Sequence, residues 1–225
     1  RYHAVKSWIT RAKPEIEIDK TDDITTIPEF MCTYQKTFFK TINKIIKTHN
    51  IAINNIIFAR DCSGHEVWRK IIFPEYKENR DYTKFNGKTI FNWTYDNLLQ
   101  EMTNKGAKIV RFDYIEADDI AAIITMQIKD RPILIITNDN DYLQLCINPN
   151  VTLLNLKEEN LTDRSLGSPH ADLMKKIILG DPSDNIPKVF NKCGIKTLEK
   201  YLNNSHLFEE ALKQDIEANK RYKLN

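Results

Sequence analysis

Carboxylate side chains occur in four short groups along the sequence, and three of these groups lie where a strand is predicted to end. Acids placed this close together repel one another unless cations lie between them. Mg²⁺ is a hard cation that binds carboxylate oxygens and keeps several of its waters, and pairs of such ions hydrolyse phosphodiesters in many enzymes. The pattern therefore predicts a metal-dependent phosphoryl-transfer enzyme. The groups are Asp61; Glu116, Asp118 and Asp119; Asp139 and Asp141; and Asp181 and Asp184.

The charge of the remaining residues is clearly basic. The chain has 33 Lys and Arg against 31 Asp and Glu, a formal net charge of +2. Setting aside the eight clustered acids leaves 31 − 8 = 23 acidic residues, and so a surplus of +10. If those acids hold metal ions, the rest of the surface suits a polyanionic substrate such as a nucleic acid.

The composition indicates a globular intracellular protein. The chain has 225 residues, 41% of them hydrophobic, which is enough for one large or two small domains. No apolar run approaches the ~20 residues needed to cross a bilayer, and the opening residues do not resemble a secretory signal. The four cysteines form no C-x-x-C pair, so reduced thiols are expected. We expect no membrane association and no secretion.

Strands and helices are predicted to alternate, which indicates a parallel, right-handed α/β sheet flanked by helices. In such sheets the functional site lies beyond the carboxyl ends of the strands, where Asp61, Glu116 and Asp139 fall. The predicted strands are 53–59, 108–114, 133–136 and 151–156, and the predicted helices are 30–49, 93–103, 118–128, 171–179 and 195–202.

Each acidic group also has an ordinary structural interpretation. The acids of IEADD could cap a helix, since carboxylates favour helix N-termini, and those of TNDND and GDPSDNIP could form turns. Taken together, the repeated groups favour metal ligation. Lys77 and Arg80 in PEYKENR could neutralise phosphate charge in a transition state, or belong to an ordinary solvated loop.

These motifs together resemble the 5′-nuclease superfamily, which includes phage flap endonucleases and the 5′-nuclease domain of bacterial DNA polymerase I. The resemblance rests on EADD at 116–119, TNDNDYLQL at 137–145, GDPSDNIP at 180–187, YKENR at 76–80 and the strand-end Asp61. The matches run in order over residues 50–202. The resemblance implies a PIN-like parallel sheet, a helical arch and a C-terminal helix–hairpin–helix (H3TH) region.

The resemblance also implies roles for individual residues. Two Mg²⁺ ions are expected, with Mn²⁺ able to replace them. Lys77 and Arg80 are expected beside the arch, near the scissile phosphate. One metal would be held by Asp61, Glu116, Asp118 and Asp119, and the second site would be completed by Asp139, Asp141, Asp181 and Asp184.

The hairpin after GDPSDNIP is expected to bind the duplex backbone, and in relatives this hairpin also binds K⁺. Lys192 stands where the family has its first glycine. Residues 1–168 are expected to form the catalytic α/β region, with the arch in 77–105, and residues 169–225 the DNA-binding region. The hairpin residues are Lys192, Gly194, Ile195, Lys196 and Thr197.

The expected activity is that of a 5′→3′ exonuclease or flap endonuclease. Its substrate would be DNA with 5′ ends or flaps, in replication or repair, and it would act as a monomer with a DNA polymerase as a partner. The expected location is the cytoplasm, the nucleoid or a site of viral replication. The alternatives are a nucleic-acid-binding protein with a weakened site, or an RNA-directed nuclease of the PIN type.

Relatives begin with an apolar strand that ends in Asp-Gly, whereas this sequence begins at Arg1. We therefore expect a fragment of a longer protein, the alternative being a natural variant that lacks this strand.

Overall fold

The structure is a computed structural model, and it describes residues 2–13, 18, 23–80 and 87–225. Residues 81–86, part of the predicted arch, lie outside the described residues. The helices are α1 (Tyr2–Ala12), α2 (Pro28–Thr48), α3 (Arg69–Ile72), α4 (Gly87–Trp93), α5 (Gln100–Asn104), α6 (Ala117–Gln127), α7 (Pro169–Leu179), α8 (Ile195–Asn203), α9 (Ser205–Gln214) and α10 (Ile216–Leu224).

The strands pair in parallel, as the alternating pattern predicts. They are β1 (Ile57–Ala59), β2 (Lys108–Val110), β3 (Ile133–Ile136) and β4 (Val151–Leu154). β1 pairs with β2, and β3 pairs with β4. Both pairs are formed by strands that a helical segment separates in the sequence, which is the connection that parallel strands require.

Three predicted strands are shorter than the sequence indicated. Residues 53–55 form a 3₁₀ turn, in which the N–H of Ile56 donates to the carbonyl of Ile53, so β1 begins only at Ile57. The strand predicted to reach residue 114 ends at Val110, and Tyr114 has a left-handed φ of 68° that turns the chain. The last strand stops at Leu154, because Asn155 pairs with Glu159 in a turn.

The contacts divide the chain into two compact units, residues 1–60 with 81–110, and residues 61–80 with 111–225. This division differs from the expected boundary at residue 168, which concerns function and stays a prediction. Both members of the β1–β2 pair lie in the first unit, and both members of the β3–β4 pair lie in the second.

The first unit has a helical core. Buried side chains of α1, α2 and α4 meet there, among them Ile9, Phe30 and Ile90. The helix predicted at 93–103 begins earlier, at Gly87, and continues through a π-helical stretch (Thr94–Leu99) into α5. Leu98 is buried in the same core. Residues 87–104 of the predicted arch are therefore helical and partly buried, whereas residues 77–80 form a turn.

Within the described residues, the second unit contains three separate clusters of buried apolar side chains. Leu143, Val151 and Leu153 pack beside β3, and Cys62, Val67 and Tyr76 form a smaller cluster. The helices from α7 to α10 enclose a third cluster, which contains Ile178, Val189, Cys193, Leu198, Phe208, Leu212 and Ala218. None of the helices in the described ranges is long and apolar enough to cross a membrane.

Candidate metal centre

All eight predicted acids lie in the second unit. Glu116 is the N-cap residue of α6, and Asp118 and Asp119 lie in the first turn of that helix. One carboxylate oxygen from each of these three residues lies within 4.8 Å of the others. A set of carboxylate oxygens is the donor set that a hard divalent cation prefers, so the three residues fit such an ion.

Helix capping, the alternative interpretation of these acids, is also present. Oδ2 of Asp119 accepts a hydrogen bond of 3.2 Å from the backbone N–H of Glu116. Asp61 contributes to the same helix start, because its Oδ1 accepts a bond of 2.7 Å from the N–H of Ala117. The two interpretations therefore do not exclude each other: capping fixes the positions of carboxylates that also form a cluster.

Arg69, which the sequence did not single out, reaches into this cluster from α3. Its guanidinium donates to Glu116 at 2.7 Å and forms two bonds of 2.8 Å with the two oxygens of Asp119. The indole N–H of Trp68 also donates to Asp119, at 3.0 Å. No spacing rule predicts these contacts, because they join residues about fifty positions apart through tertiary packing.

The two aspartates of α6 differ in their proton affinity. Burial raises the pKa of Asp118, although the charge of Arg69 opposes the rise. Burial also acts to raise the pKa of Asp119, but the hydrogen bonds from Arg69 and Trp68 outweigh it, so that this pKa lies below its usual range. Asp119 is therefore the more firmly ionised of the pair.

Tyr76 and Lys77 connect Glu116 to Asp184. The hydroxyl of Tyr76 donates to Glu116 at 3.0 Å and lies 3.2 Å from Asp184. Nζ of Lys77 lies 2.6 Å from Glu116 and 4.0 Å from Asp184. Burial and the charge of Glu116 raise the pKa of Tyr76, so its hydroxyl stays protonated as a donor. The structure thus brings the predicted Lys77 directly onto the acidic cluster.

The GDPSDNIP loop docks onto residues 75–80. Arg80 pairs with Asp184 at 2.7 Å. The amide of Asn185 donates to the carbonyl of Glu75 at 2.8 Å, and that of Asn79 to the carbonyl of Pro182 at 2.6 Å. The loop lies more than a hundred positions from residues 75–80 in the sequence and folds back onto them, which is the condition for Asp184 to reach the cluster.

Gly180 allows the loop to make this turn. Its φ is +65°, and a Cβ at this position would lie 2.5 Å from the carbonyl oxygen of Ile186. Backbone hydrogen bonds between Asp181 and Ile186 close the loop at that point, at 2.9 and 2.8 Å. Only glycine fits this combination of conformation and close approach.

Asp141 and Asp181 share one lysine, Lys176 of α7, which sequence reasoning also missed. Nζ of Lys176 lies 2.7 Å from Asp141 and is bonded to Asp181 as well. Burial raises the pKa of Asp141 despite this contact. Burial also acts to raise the pKa of Asp181, but bonds from Lys176 and Ser183 outweigh it and the pKa is lowered.

Asp139 lies next to this pair, and its Oδ1 accepts a bond of 2.9 Å from the N–H of Asp141. Tyr142 lies within electrostatic reach of three of the acidic groups. Burial raises the pKa of this tyrosine, and the negative charges of Asp118, Asp139 and Asp61 raise it further. Acids from three sequence groups therefore act on one hydroxyl.

The predicted hairpin residues surround the start of α8. Gly194 is the N-cap residue, Ile195 begins the helix, and the N–H of Thr197 donates to the carbonyl of Gly194. The side chains of Lys192 and Lys196 are exposed. This arrangement presents two positive charges at a helix N-terminus. The role of these residues in binding DNA stays a prediction.

Curated proteins of similar sequence were found in two bacteria and a phage. A 5′-3′ exonuclease of Mycoplasmopsis pulmonis is 34% identical over 181 residues, which cover 77% of this chain and 58% of the relative. Ribonuclease H of Enterobacteria phage T4 is 28% identical over 64% of this chain and 49% of its own length. A 5′-3′ exonuclease of Halalkalibacterium halodurans is 28% identical over 83% of this chain and 64% of its own length. The chain thus spans only about half to two thirds of these relatives.

Solved structures of similar fold come from bacteriophage T5. A 5′-exonuclease with bound divalent zinc ions has a TM-score of 0.62 at 18% identity, covering 84% of this chain and 76% of that one. A flap endonuclease in a pseudo-enzyme–product complex with DNA and metal ions has a TM-score of 0.61 at 17% identity, covering 85% and 77%. These likenesses show that the fold is shared and confirm the predicted α/β class.

The sequence also matches the model of a protein family. The model described as 5′-3′ exonuclease, N-terminal resolvase-like domain, matches residues 19–170. This match covers more than half of the chain and includes the acids from Asp61 to Asp141. The chain therefore belongs to the family of 5′-3′ exonuclease N-terminal, resolvase-like domains.

Proposed function

We propose that this chain is the catalytic part of a Mg²⁺-dependent 5′→3′ exonuclease or flap endonuclease that hydrolyses DNA in replication or repair. The observation that carries the proposal is the cluster of Glu116, Asp118 and Asp119, whose oxygens lie within 4.8 Å of one another. Four basic side chains are paired with the acids of this region: Arg69, Lys77, Arg80 and Lys176. Such pairing indicates a local excess of negative charge that divalent ions could also neutralise.

In the proposed enzyme, Asp61, Glu116, Asp118 and Asp119 hold one ion. Asp139, Asp141, Asp181 and Asp184 contribute to a second site. Bound there, divalent ions would activate water and stabilise the leaving oxygen. The expected products carry a 5′-phosphate and a 3′-hydroxyl.

Lys77 and Arg80 have a separate task in this proposal. Nζ of Lys77 lies 2.6 Å from Oε1 of Glu116, and Nη2 of Arg80 lies 2.7 Å from Oδ1 of Asp184. Both residues thus place positive charge beside the acids that would surround the reacting phosphate. A fixed cation next to the scissile group stabilises negative charge that develops in the transition state. We therefore assign these two residues to transition-state stabilisation.

Duplex binding is assigned to the start of α8. Backbone N–H groups at a helix N-terminus attract phosphate, and the exposed Lys192 and Lys196 add charge there. A K⁺ ion at this hairpin, a monomeric state, a DNA polymerase partner and a site of action inside the cell are parts of the same proposal.

The test is a cleavage assay on a 5′-flap DNA labelled at its 5′ end. Cleavage is expected with Mg²⁺ or Mn²⁺ and not with EDTA, and Asp118→Asn should abolish it. Tight binding without any metal-dependent cleavage would instead support a nucleic-acid-binding protein with a weakened site.

RNA paired with DNA is a second candidate substrate, since one relative is named ribonuclease H. The same assay with RNA–DNA hybrid and with DNA flaps of equal geometry separates the two. Faster cleavage of the RNA strand than of the DNA flap would overturn the assignment to DNA.

A further inference from the structure

Arg69 occupies the carboxylate oxygens that a metal ion would need. Its two terminal nitrogens hold both oxygens of Asp119 at 2.8 Å, and one of them also holds Glu116 at 2.7 Å. Asp118 lies farther off, with 3.7 Å between Nη2 and Oδ2. The guanidinium thus lies among the same three residues that form the candidate metal cluster.

Asp119 has little remaining capacity for a further ligand. Its Oδ2 accepts bonds from Arg69, from the indole of Trp68 and from the backbone N–H of Glu116. Its Oδ1 accepts a bond from Arg69. An ionised carboxylate offers about four lone-pair sites, two on each oxygen. Oδ2 is therefore saturated, and an ion could reach Asp119 only at the remaining site of Oδ1, next to the positive charge of Arg69, or by displacing one of these donors.

Arginine cannot vacate the site by losing its proton, because its guanidinium stays charged at all ordinary pH values. It has to move or to share an oxygen. Its side chain is 26% exposed, so it borders solvent. Its charge also lies 4.8 Å from the ring centre of Trp68, a contact that would keep it near the site.

We propose that Arg69 is a positioning residue that acts as a tethered counter-ion: it holds Glu116 and Asp119 together in the metal-free protein, and it yields carboxylate oxygen to a divalent ion that binds. This role rests on the proposed function, since it concerns the metal site of that nuclease. Arg69 would thereby stabilise the folded chain against repulsion between these carboxylates, and it would also weaken the binding of a metal ion.

Calorimetric titration of the 225-residue chain with Mn²⁺, together with thermal unfolding in EDTA, tests the proposal. Arg69→Met should bind Mn²⁺ about tenfold more tightly, the effect of one charge-assisted hydrogen bond that no longer competes. The same variant should unfold at a lower temperature in EDTA. Arg69→Lys should lie between it and the wild type, because lysine retains the charge without the paired geometry.

Arg111→Met is the matched control. Arg111 also pairs with carboxylates, at 3.7 Å from Glu66 and 2.9 Å from Asp113, but these are not members of the cluster. The Arg111→Met variant should bind Mn²⁺ with the same affinity as the wild type.

Unchanged or weaker binding of Mn²⁺ by Arg69→Met would overturn the proposal. If that variant does not fold, Arg69→Lys decides: tighter binding supports competition, and equal or weaker binding overturns it.

A second variant distinguishes a failure of the proposed metal site from a failure of the role proposed for Arg69. Asp118→Asn removes the cluster carboxylate that pairs with Arg69 at the longest distance, 3.7 Å, and it should weaken Mn²⁺ binding. If the wild type binds no Mn²⁺, or if Asp118→Asn has no effect, the proposed metal site itself fails. If the wild type binds through Asp118 and Arg69→Met brings no gain, only the role of Arg69 fails.

Discussion

The ammonium group of Lys77 lies 2.6 Å from Oε1 of Glu116. The backbone of Lys77 adopts a left-handed φ of 58°, and its N–H donates to the carbonyl of Asp184 at 3.0 Å. Such a conformation costs a non-glycine residue about 1 kcal/mol or more, which the contact with the GDPSDNIP loop must offset. The lysine is therefore anchored through its backbone and directed at the acidic cluster through its side chain.

Lys77→Ala should lower the single-turnover rate of DNA cleavage by roughly a hundredfold, because it removes a positive charge beside the reacting phosphate. Its affinity for DNA should change much less. Rapid-quench kinetics with saturating enzyme separates the two quantities. Lys157→Ala is the control, since Lys157 is an exposed lysine of the same unit. Equal losses of cleavage rate and DNA affinity would indicate that Lys77 only contacts the phosphate backbone of the DNA.

Asp118→Ala should reduce metal-dependent cleavage by about a thousandfold or more, since it removes a proposed metal ligand and several kcal/mol of transition-state stabilisation. DNA binding in Ca²⁺ or EDTA should be retained. Fluorescence anisotropy for binding and gel-based rates for cleavage are the measurements. Asp163→Ala, at an exposed acid in the same unit, should leave both unchanged. A wild-type cleavage rate in Asp118→Ala would contradict the metal assignment.

Gly180→Ala should destabilise the chain by about 2–4 kcal/mol, because the new Cβ meets backbone atoms at a conformation that side chains rarely adopt. The contact is 2.5 Å to the carbonyl oxygen of Ile186. Urea unfolding measures the loss.

Two other glycines separate the causes of that effect. Gly167 has φ +98° with nothing within 4 Å of its added Cβ, so Gly167→Ala should show conformational strain alone, about 1 kcal/mol. Gly64 has open space, and Gly64→Ala should have little effect. A loss at Gly180 no larger than that at Gly167 would mean that crowding is relieved by a small shift of the loop.

Lys192→Glu and Lys196→Glu should each weaken binding to duplex DNA and reduce the slope of log K against log salt by about one, as expected for a lost phosphate contact. The rate on saturated substrate should change little. Anisotropy titrations at several salt concentrations provide the test. Lys213→Glu on α9 is a control of equal charge change at an exposed lysine. An unchanged slope at both hairpin positions would show that this helix start does not bind the backbone.

The clustering of acids could be predicted from the sequence, because it depends on residue type and on position at strand ends. Glu116, Asp118 and Asp119 come together through one helix turn, which local spacing describes. The partners Arg69, Tyr76 and Lys176 could not be predicted in this way, since two of them meet their acids across 40 to 108 positions. Lys176 lies only five residues before Asp181, but no spacing rule marks it as a shared partner.

The start of β1 shows a different limit of sequence reasoning. Residues 53–55 are Ile-Asn-Asn and close a 3₁₀ turn, although the predicted strand begins at residue 53. Asparagine is depleted in strands and favoured in turns, so the apolar residues that follow carry the strand prediction too far toward the N-terminus.

The docking of the GDPSDNIP loop onto residues 75–80 also has a consequence for biosynthesis. Asn185 meets Glu75 at a separation of 110 residues, and Asn79 meets Pro182 at 103. Closing so long a loop has an entropic cost, and these contacts cannot form until residue 185 has emerged from the ribosome. A growing chain would thus carry Glu116 without Asp184, and the contacts that join Glu116 to Asp184 through Tyr76 and Lys77 would form only after synthesis has passed this point.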